Sequence, residues 1–224
     1  MKLAILKELR PDETRVAAST ETVKKFVDLG LTVIVEKSAG ASAAISDQAF
    51  KNAGATIAAN AGAALKAADV VLKVSRPMMT GEKKDELKAF SKGQTLVCHM
   101  NAFSEPTFVS AMAKAGINGF AMELMPRITR AQSMDILSSQ SNLAGYKAVL
   151  DATNHYGRAI PMMMTAAGTV PPARAFVMGV GVAGLQAIAT AKRLGAIVTA
   201  TDVRPATKEQ VESLGGAFIA VEDE

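Results

Sequence analysis

The feature that most constrains the fold is a glycine-spaced turn between a short apolar strand and an amphipathic helix. The turn reads Gly-Val-Gly-Val-Ala-Gly over residues 179–184, between an apolar run at 175–178 and a helical pattern at 185–194. A second apolar run, residues 197–201, ends in Asp202. The order strand, turn, helix, strand, acid predicts a dinucleotide-binding βαβ unit.

Each glycine of this turn has a physical role in such a unit. Gly179 permits the tight turn, Gly181 lets a pyrophosphate approach backbone N–H groups at the helix N-terminus, and Gly184 allows close packing of helix and strand. Val180 and Val182, which lie between the glycines, belong to the same predicted binding turn. The alternative is an ordinary βαβ turn without a ligand, and the strand and acid around the turn favour a dinucleotide site.

The acid at the end of the second strand bears on which dinucleotide binds. A carboxylate at Asp202 accepts hydrogen bonds from both ribose hydroxyls and repels a 2′-phosphate, which favours NAD(H) over NADP(H). Arg204 complicates this interpretation, because an arginine there can pair with a 2′-phosphate, although Pro205 indicates a turn that directs it elsewhere. We expect Asp202, Val203 and Arg204 to lie at the adenosine end of an NAD(H) site.

Composition excludes several other classes of protein. The 224 residues are 49% hydrophobic and 21% charged, with a net charge of +4. Basic residues are scattered and aromatic residues make up only 4%, so we expect no nucleic-acid partner. Cys98 is the single cysteine and the two histidines lie in different predicted elements, so neither a disulfide framework nor a metal site is expected.

Two uncharged stretches, residues 159–173 and 175–191, resemble membrane segments only superficially. Both are shorter than the roughly 20 residues that a spanning helix needs, and they contain prolines or the glycine turn. The N-terminus has charges within its first ten residues, in a strand pattern rather than that of a signal peptide. We therefore expect a polypeptide that is soluble when isolated.

The first 120 residues alternate strand and helix patterns. Strands are predicted at residues 3–6, 32–35, 70–74, 95–98 and 117–122, and helices near 22–29, 47–53, 84–90 and 105–115. Strict alternation predicts a parallel sheet covered on both faces. The first turn, residues 8–15, contains no glycine, so this is expected to be a Rossmann-like partner domain. A helix at 142–155 is predicted to connect it to the second domain.

A polar loop, residues 126–139, precedes that connector at the expected carboxyl edge of the sheet, where open α/β sheets bind ligands. An amide such as Gln132 can hold a nicotinamide carboxamide, while Arg127 and Asp135 can fix each other and the ring. The alternative is a solvated connector with a helix-capping serine.

Several stretches together carry a family resemblance: residues 13–17, 72–74, 126–133, 144–146, 166–173 and 179–185. The sequence resembles the NAD(H)-binding domain of proton-translocating nicotinamide nucleotide transhydrogenases, a family shared with alanine dehydrogenases. The Arg-Ala-Gln-Ser segment at residues 130–133 is the most diagnostic match.

The resemblance implies that the polar loop lies beside the nicotinamide. It assigns cofactor binding there to Arg127, Ile128, Thr129, Gln132, Asp135 and Ser138. Arg127, Gln132 and Asp135 would position the ring, with no acid or base role. It further implies a homodimer on the cytoplasmic side of the inner membrane, beside an NADP(H)-binding domain and a membrane-spanning domain. The implied reaction is hydride exchange between NADH and NADP⁺, coupled to proton translocation elsewhere in the complex.

Two other functions stay open at this point. Arg15, Lys73 and His99 stand where alanine dehydrogenases hold substrate and perform acid–base chemistry, so an NAD-dependent alanine dehydrogenase is the alternative. A binding module without catalysis is the third possibility.

The expected organisation is two Rossmann-like domains with parallel sheets, the second incomplete. The expected boundaries are 1–138 for the partner domain, 139–165 for the connector and 166–224 for the first half of the NAD-binding domain. Only three strands follow the connector, at 175–178, 197–201 and 217–221, whereas the order 3-2-1-4-5-6 needs six. We therefore expect a continuation or separate polypeptide to supply the remaining strands and to cover the exposed edge.

Overall fold

The computed structural model describes residues 1–66 and 68–220 and divides the chain into two compact units. The first unit runs from Met1 to Met134, and the second begins at Asp135. The division thus lies before the expected boundary at 138 and leaves the long helix Ile136–His155 entirely in the second unit.

The first unit is built on a six-stranded parallel sheet with strand order 3-2-1-4-5-6. Its strands are β1 (Lys2–Ile5), β2 (Thr32–Glu36), β3 (Thr56–Ala58), β4 (Val70–Ser75), β5 (Thr95–His99) and β6 (Asn118–Ala121). Its helices are α1 (Thr20–Asp28), α2 (Asp47–Asn52), α3 (Ala61–Lys66) and α4 (Pro106–Ala115). The predicted α/β class with a parallel sheet is confirmed.

Two apolar cores cover the two faces of this sheet. Along β1 and the residue that follows it, Leu3 and Ile5 belong to one buried cluster, whereas Ala4 and Leu6 belong to the other. Successive side chains of a strand point to opposite faces, so the alternation assigns each cluster to its own face. Burial on both sides explains why this strand is apolar at every position from Leu3 onwards.

The sequence pattern missed some elements of the first unit. Strand β3 and helix α3 were not predicted, and both are short. The helix expected at residues 84–90 is wrong, because only the 3₁₀ turn Leu87–Ala89 forms. The physical reason lies in the carboxylate of Glu86, which accepts the backbone N–H of Met78 at 2.8 Å and the ammonium of Lys73 at 2.8 Å. These tertiary bonds hold the segment as a loop.

The second unit contains a long helix, a hairpin and a βαβ layer. The helices are α5 (Ile136–His155), α6 (Val182–Arg193) and α7 (Lys208–Ser213). The strands are β7 (Met163–Thr165), β8 (Gly168–Val170), β9 (Arg174–Met178), β10 (Ile197–Thr201) and β11 (Ala217–Phe218). Strands β7 and β8 pair antiparallel, and the parallel three-stranded sheet has the order β11-β10-β9.

This layer confirms the predicted strand–turn–helix–strand unit and its three parallel strands. The connector helix begins at Ile136 rather than near 142, and the hairpin β7–β8 was not predicted. The strand predicted at 217–221 ends at Phe218, and its last residue, Val221, lies outside the described residues.

Strand β9 shows different surroundings on its two faces. Ala175 and Val177 pack against the core formed by α6, β10 and α7. Phe176 and Met178, on the opposite face, are 54% and 79% exposed. Within residues 1–66 and 68–220, β9 pairs only with β10.

No helix in the described part of the chain has the length and apolar character to cross a membrane.

Candidate nucleotide-binding site

The glycine turn joins β9 directly to α6. Gly179 has φ +90°, a conformation that other residues rarely adopt, and Gly181 is the N-cap of α6. A Cβ on Gly184 would overlap the carbonyl oxygen of Gly179 and lie 2.9 Å from its carbonyl carbon, so helix and turn approach as closely as predicted.

The start of α6 is suited to an anion. The N-cap residue of α6 is Gly181, which has no side chain. The N–H groups in the first turn of α6 therefore donate no hydrogen bond to a side chain at the N-cap. Apart from its chain neighbours, no described atom lies within 4 Å of the point that a Cβ of Gly181 would occupy. The backbone N–H donors, the helix dipole and the open space at the start of α6 therefore suit a pyrophosphate group.

Asp202, at the end of β10, is only 6% exposed in its side chain and is held by several hydrogen bonds. Its Oδ1 accepts the backbone N–H and the Nε–H of Arg204, at 2.8 and 2.9 Å. Its Oδ2 accepts the N–H of Val180 at 2.6 Å and Nη2 of Arg204 at 3.1 Å. The Arg204 side chain, followed by the Val180 N–H, holds the pKa of Asp202 well below its ordinary range. Asp202 is thus a fixed, ionised acceptor.

Asp202 and Arg204 together hold one residue of the glycine turn, residues 179–184, which is the proposed phosphate turn. The carboxylate of Asp202 accepts the N–H of Val180, and Nη2 of Arg204 donates to the carbonyl oxygen of Val180 at 3.4 Å. Val180 itself is buried, whereas Val203 is 96% exposed. The arginine that sequence analysis considered for a 2′-phosphate is therefore engaged with Asp202 and the turn.

The polar loop is divided between the two units. Arg127, Ile128, Thr129 and Gln132 belong to the first unit and are exposed. The segment Thr129–Met134 forms a 3₁₀ helix whose only buried residue is Ala131. This buried alanine anchors the turn, and it leaves Gln132 on the surface.

Asp135 and Ser138 belong to the second unit, where they form the start of α5. Oδ1 of Asp135 accepts the N–H of Leu137 at 2.9 Å and the N–H of Ser138 at 3.0 Å, while Oδ2 accepts the Ser138 hydroxyl at 2.7 Å. The cap is thus the aspartate, supported by Ser138, rather than the serine named in the alternative of a solvated connector.

Helix α5 packs closely on α6 within the second unit. Gly145 is buried, and a Cβ there would overlap the carbonyl oxygen of Ala183 in the first turn of α6. One turn earlier, Nδ2 of Asn142 donates to Oε1 of Gln186 at 3.2 Å. The contact joins the helix that carries Asp135 and Ser138 to the helix that begins at the phosphate turn.

Two of the three residues that favoured a dehydrogenase, Lys73 and Arg15, have internal partners. Lys73 is 1% exposed in its side chain, and its ammonium lies 2.8 Å from Oε1 of Glu86 and 3.5 Å from Oε2 of Glu8. Burial raises the pKa of Glu8, although the charge of Lys73 opposes the shift. The buried ammonium therefore faces two carboxylates of its own chain.

Arg15 is likewise engaged with a neighbouring carboxylate. Its Nε and Nη2 donate to the two oxygens of Glu13 at 2.7 and 2.6 Å, and the Ser75 hydroxyl donates to Glu13 at 3.1 Å. The Arg15 hydrogen bond is the main cause of the lowered pKa of Glu13. His99, the third residue of this set, is exposed at the end of β5.

Sequence reasoning missed Glu8, Glu86 and Gly145. A carboxylate just beyond β1 was the only visible signal for Glu8, and nothing local distinguishes Glu86 from other glutamates. Gly145 lies in a stretch that carries the family resemblance, but its packing against Ala183 has no local signal. Among the described residues, no group of histidine, cysteine, aspartate and glutamate is arranged to hold a metal ion. Burial raises the pKa of the Cys98 thiol, which makes it a poor nucleophile.

Two family models match the chain. The model described as "Alanine dehydrogenase/PNT, N-terminal domain" matches residues 4–144, and "Alanine dehydrogenase/PNT, C-terminal domain" matches residues 148–224. Together they cover almost the whole sequence.

Individual relatives agree with these matches. The chain is 65% identical over 224 residues, all of its length and 58% of the relative, to an NAD(P) transhydrogenase alpha subunit of Rhodospirillum rubrum. The crystal structure of a transhydrogenase from Sinorhizobium meliloti superposes with a TM-score of 0.94 at 58% identity, covering 100% of this chain and 62% of that one. An alanine dehydrogenase of Methanococcus maripaludis is 31% identical over 206 residues, 91% of this chain and 53% of the relative. The chain thus spans a little over half the length of these curated relatives.

Proposed function

Because the chain belongs to the alanine dehydrogenase/PNT family, we propose that it is the NAD(H)-binding component of a transhydrogenase. The observation that carries the proposal is the α6 N-terminus without a capping side chain, placed beside the ionised Asp202. This arrangement suits a pyrophosphate next to a ribose acceptor, in a chain that is 65% identical to a transhydrogenase subunit.

We propose that Gly179, Val180, Gly181, Val182 and Gly184 cradle the pyrophosphate, and that Asp202, Val203 and Arg204 meet the adenosine ribose. Arg127, Ile128, Thr129, Gln132, Asp135 and Ser138 then bind the nicotinamide end. Bound NADH supplies a hydride to a second nicotinamide. Since a direct hydride transfer needs no proton from the protein, the role of these residues is to orient the ring and exclude water.

The proposed partners follow from the same assignment. We propose that the chain acts as a homodimer, with NADP(H) bound by a separate domain and a membrane-spanning domain that couples hydride transfer to proton translocation. The site would then lie at the cytoplasmic face of the inner membrane.

The test uses the complex purified with its partner subunits. NADPH is mixed in a stopped-flow instrument with an oxidised NAD analogue whose reduced form absorbs at a distinct wavelength. We expect reduction of the analogue without any third substrate. Reduction of NAD⁺ that depends on added alanine would instead support a dehydrogenase, and the internal pairs of Lys73 and Arg15 argue against that outcome. Binding without any transfer would support a binding module.

A further inference from the structure

The close contact between α5 and α6 requires a residue without a side chain. A Cβ on Gly145 would overlap the Ala183 carbonyl oxygen, and it would lie 2.8 Å from the carbonyl carbon and 3.0 Å from the Cα of Ala183. All three are backbone atoms, so no rotamer change in a neighbour can make room. The helices are therefore held at a distance that only glycine permits at this position.

The two helices carry different residues of the candidate site. Ala183 lies in the first turn of α6, two residues after the N-cap Gly181 of the phosphate turn. Asp135 caps the start of α5, ten residues before Gly145. At a rise of 1.5 Å per residue, α5 separates the cap from the contact by about 15 Å. A continuous helix thus connects the two places.

We propose that Gly145 is a positioning residue, which sets the distance and rotation of Asp135 and Ser138 relative to the phosphate turn. This inference rests on the proposed function, because it takes Asp135 and Ser138 as residues at the nicotinamide. One turn earlier along α5, the hydrogen bond from Asn142 to Gln186 holds the two helices in the same relative position.

A change at this contact moves one end of the site relative to the other. The pyrophosphate is held at the start of α6, whereas the nicotinamide contacts lie at the start of α5. Asp202 and Arg204 hold the phosphate turn through Val180, so a displacement of α5 misplaces the ring more than the turn. Because hydride transfer depends steeply on geometry, the rate responds more strongly than the affinity.

The experiment compares Gly145→Ala with the wild type in the complete complex, using ADP and NADH as probes. ADP lacks the nicotinamide and reports on the phosphate turn and the adenosine end of the site. We expect its Kd to stay within about threefold, while the hydride-transfer rate at saturating NADH falls by about tenfold or more. The fluorescence anisotropy of bound NADH should also fall, because the reduced ring is held less firmly.

The matched control is Ala144→Ser, an exposed neighbour on the same turn of α5, which should leave the rate and both affinities unchanged. If Gly145→Ala fails to fold, as judged by circular dichroism, Asn142→Ala loosens the same contact without added bulk. Its expected result is a smaller loss of rate with an unchanged ADP affinity.

The proposal is overturned if Gly145→Ala retains the wild-type rate, or if ADP affinity and rate fall together. An unchanged rate in Asn142→Ala overturns it where Gly145→Ala does not fold. A wild-type complex that transfers no hydride contradicts the proposed function instead. In that case the fluorescence anisotropy of bound NADH tests the role of Gly145. Equal anisotropy in the wild type and in Gly145→Ala overturns that role.

Discussion

At the scale of single residues, the Asp202 carboxylate serves the phosphate turn as well as the expected ribose. Its Oδ2 already accepts the Val180 N–H, and Oδ1 accepts two N–H groups of Arg204. A carboxylate has about four lone-pair positions, and these bonds occupy all four together with the bond from Nη2 of Arg204 to Oδ2. Ribose hydroxyls would therefore be accepted in place of bonds from the exposed Arg204 side chain. Arg204 partly neutralises the charge that would repel a 2′-phosphate. We therefore expect the preference for NADH over NADPH to depend on Asp202 and Arg204 together.

The first prediction concerns this preference. Asp202→Asn removes the negative charge and one hydrogen-bond acceptor. The Kd for NADH should therefore rise by about tenfold, and the ratio of the NADPH Kd to the NADH Kd should decrease. Isothermal titration with both cofactors measures this. Asp151→Asn, a change of the same type at an exposed position of α5, is the control. An unchanged preference would show that Asp202 does not meet the ribose.

The second prediction separates alignment from binding. If Gln132 orients the nicotinamide, Gln132→Asn shortens the side chain by one methylene and displaces the amide by roughly 1 Å. The rate of hydride transfer should fall by up to about 100-fold, with little change in the Kd for NADH. Stopped-flow rates and titrations on the same samples check this, with Gln210→Asn on α7 as the control. Equal losses in rate and affinity would indicate a simple binding contact.

At the scale of elements, ion pairs fasten the loop that follows β4. Glu82 pairs with Arg76 at 2.8 Å and with Arg10 at 3.0 Å, and Arg76 also reaches Glu105 at 3.1 Å. The guanidinium of Arg76 lies 5.3 Å from the ring centre of Phe108 in α4. These contacts tie the chain after β1, the chain after β4 and helix α4 together without regular secondary structure.

The third prediction is a pH dependence of this cluster. Burial alone would raise the pKa of Glu82, but hydrogen bonds from Arg76, Met79 and Arg10 outweigh it and lower the pKa to about 2. A lowered pKa stabilises the fold above the ordinary value of 4.5, and this contribution is lost as the pH falls towards 2. Glu82→Gln should therefore cost about 1 kcal/mol near neutral pH, and the difference from wild type should disappear in acid.

Urea unfolding of both proteins at several pH values measures the difference. Glu212→Gln, at an exposed position of α7, controls for the loss of a charge. A difference that stays constant with pH would assign the effect to packing rather than to ionisation.

At the scale of the whole molecule, the two units have sheets with different surroundings. The first unit has two apolar clusters on opposite faces, whereas the second has one described cluster beneath α6. Phe176 and Met178 project from β9 away from that cluster and are exposed. Exposed apolar side chains on an edge strand promote association.

The fourth prediction follows for the 224-residue chain. Replacing Phe176 and Met178 together by serine should lower the binding of a hydrophobic fluorescent dye and reduce concentration-dependent association in sedimentation experiments. Leu29→Ser removes an exposed apolar side chain from the first unit and is the control. If the control has the same effect as the double variant, the face of β9 is not the association surface.

Local pattern was sufficient for the α/β class, for most strands of the parallel sheets and for the glycine turn. Apolar periodicity and turn spacing act over a few residues, so sequence carries them directly. The start of α5 escaped detection because its first turns are rich in serine and glutamine, and because an aspartate at its cap looks like any loop aspartate.

Other features were decided only by the tertiary structure. Val180 and Asp202 are 22 positions apart, and Glu8 lies 65 positions from Lys73, yet both pairs are in contact. Gly145 shows its role only against the backbone of Ala183. The sequence by itself determined the α/β class, most strands of the parallel sheets and the position of the glycine turn. Which charges neutralise each other, and how closely α5 approaches α6, depend on packing between distant segments, which no local pattern records.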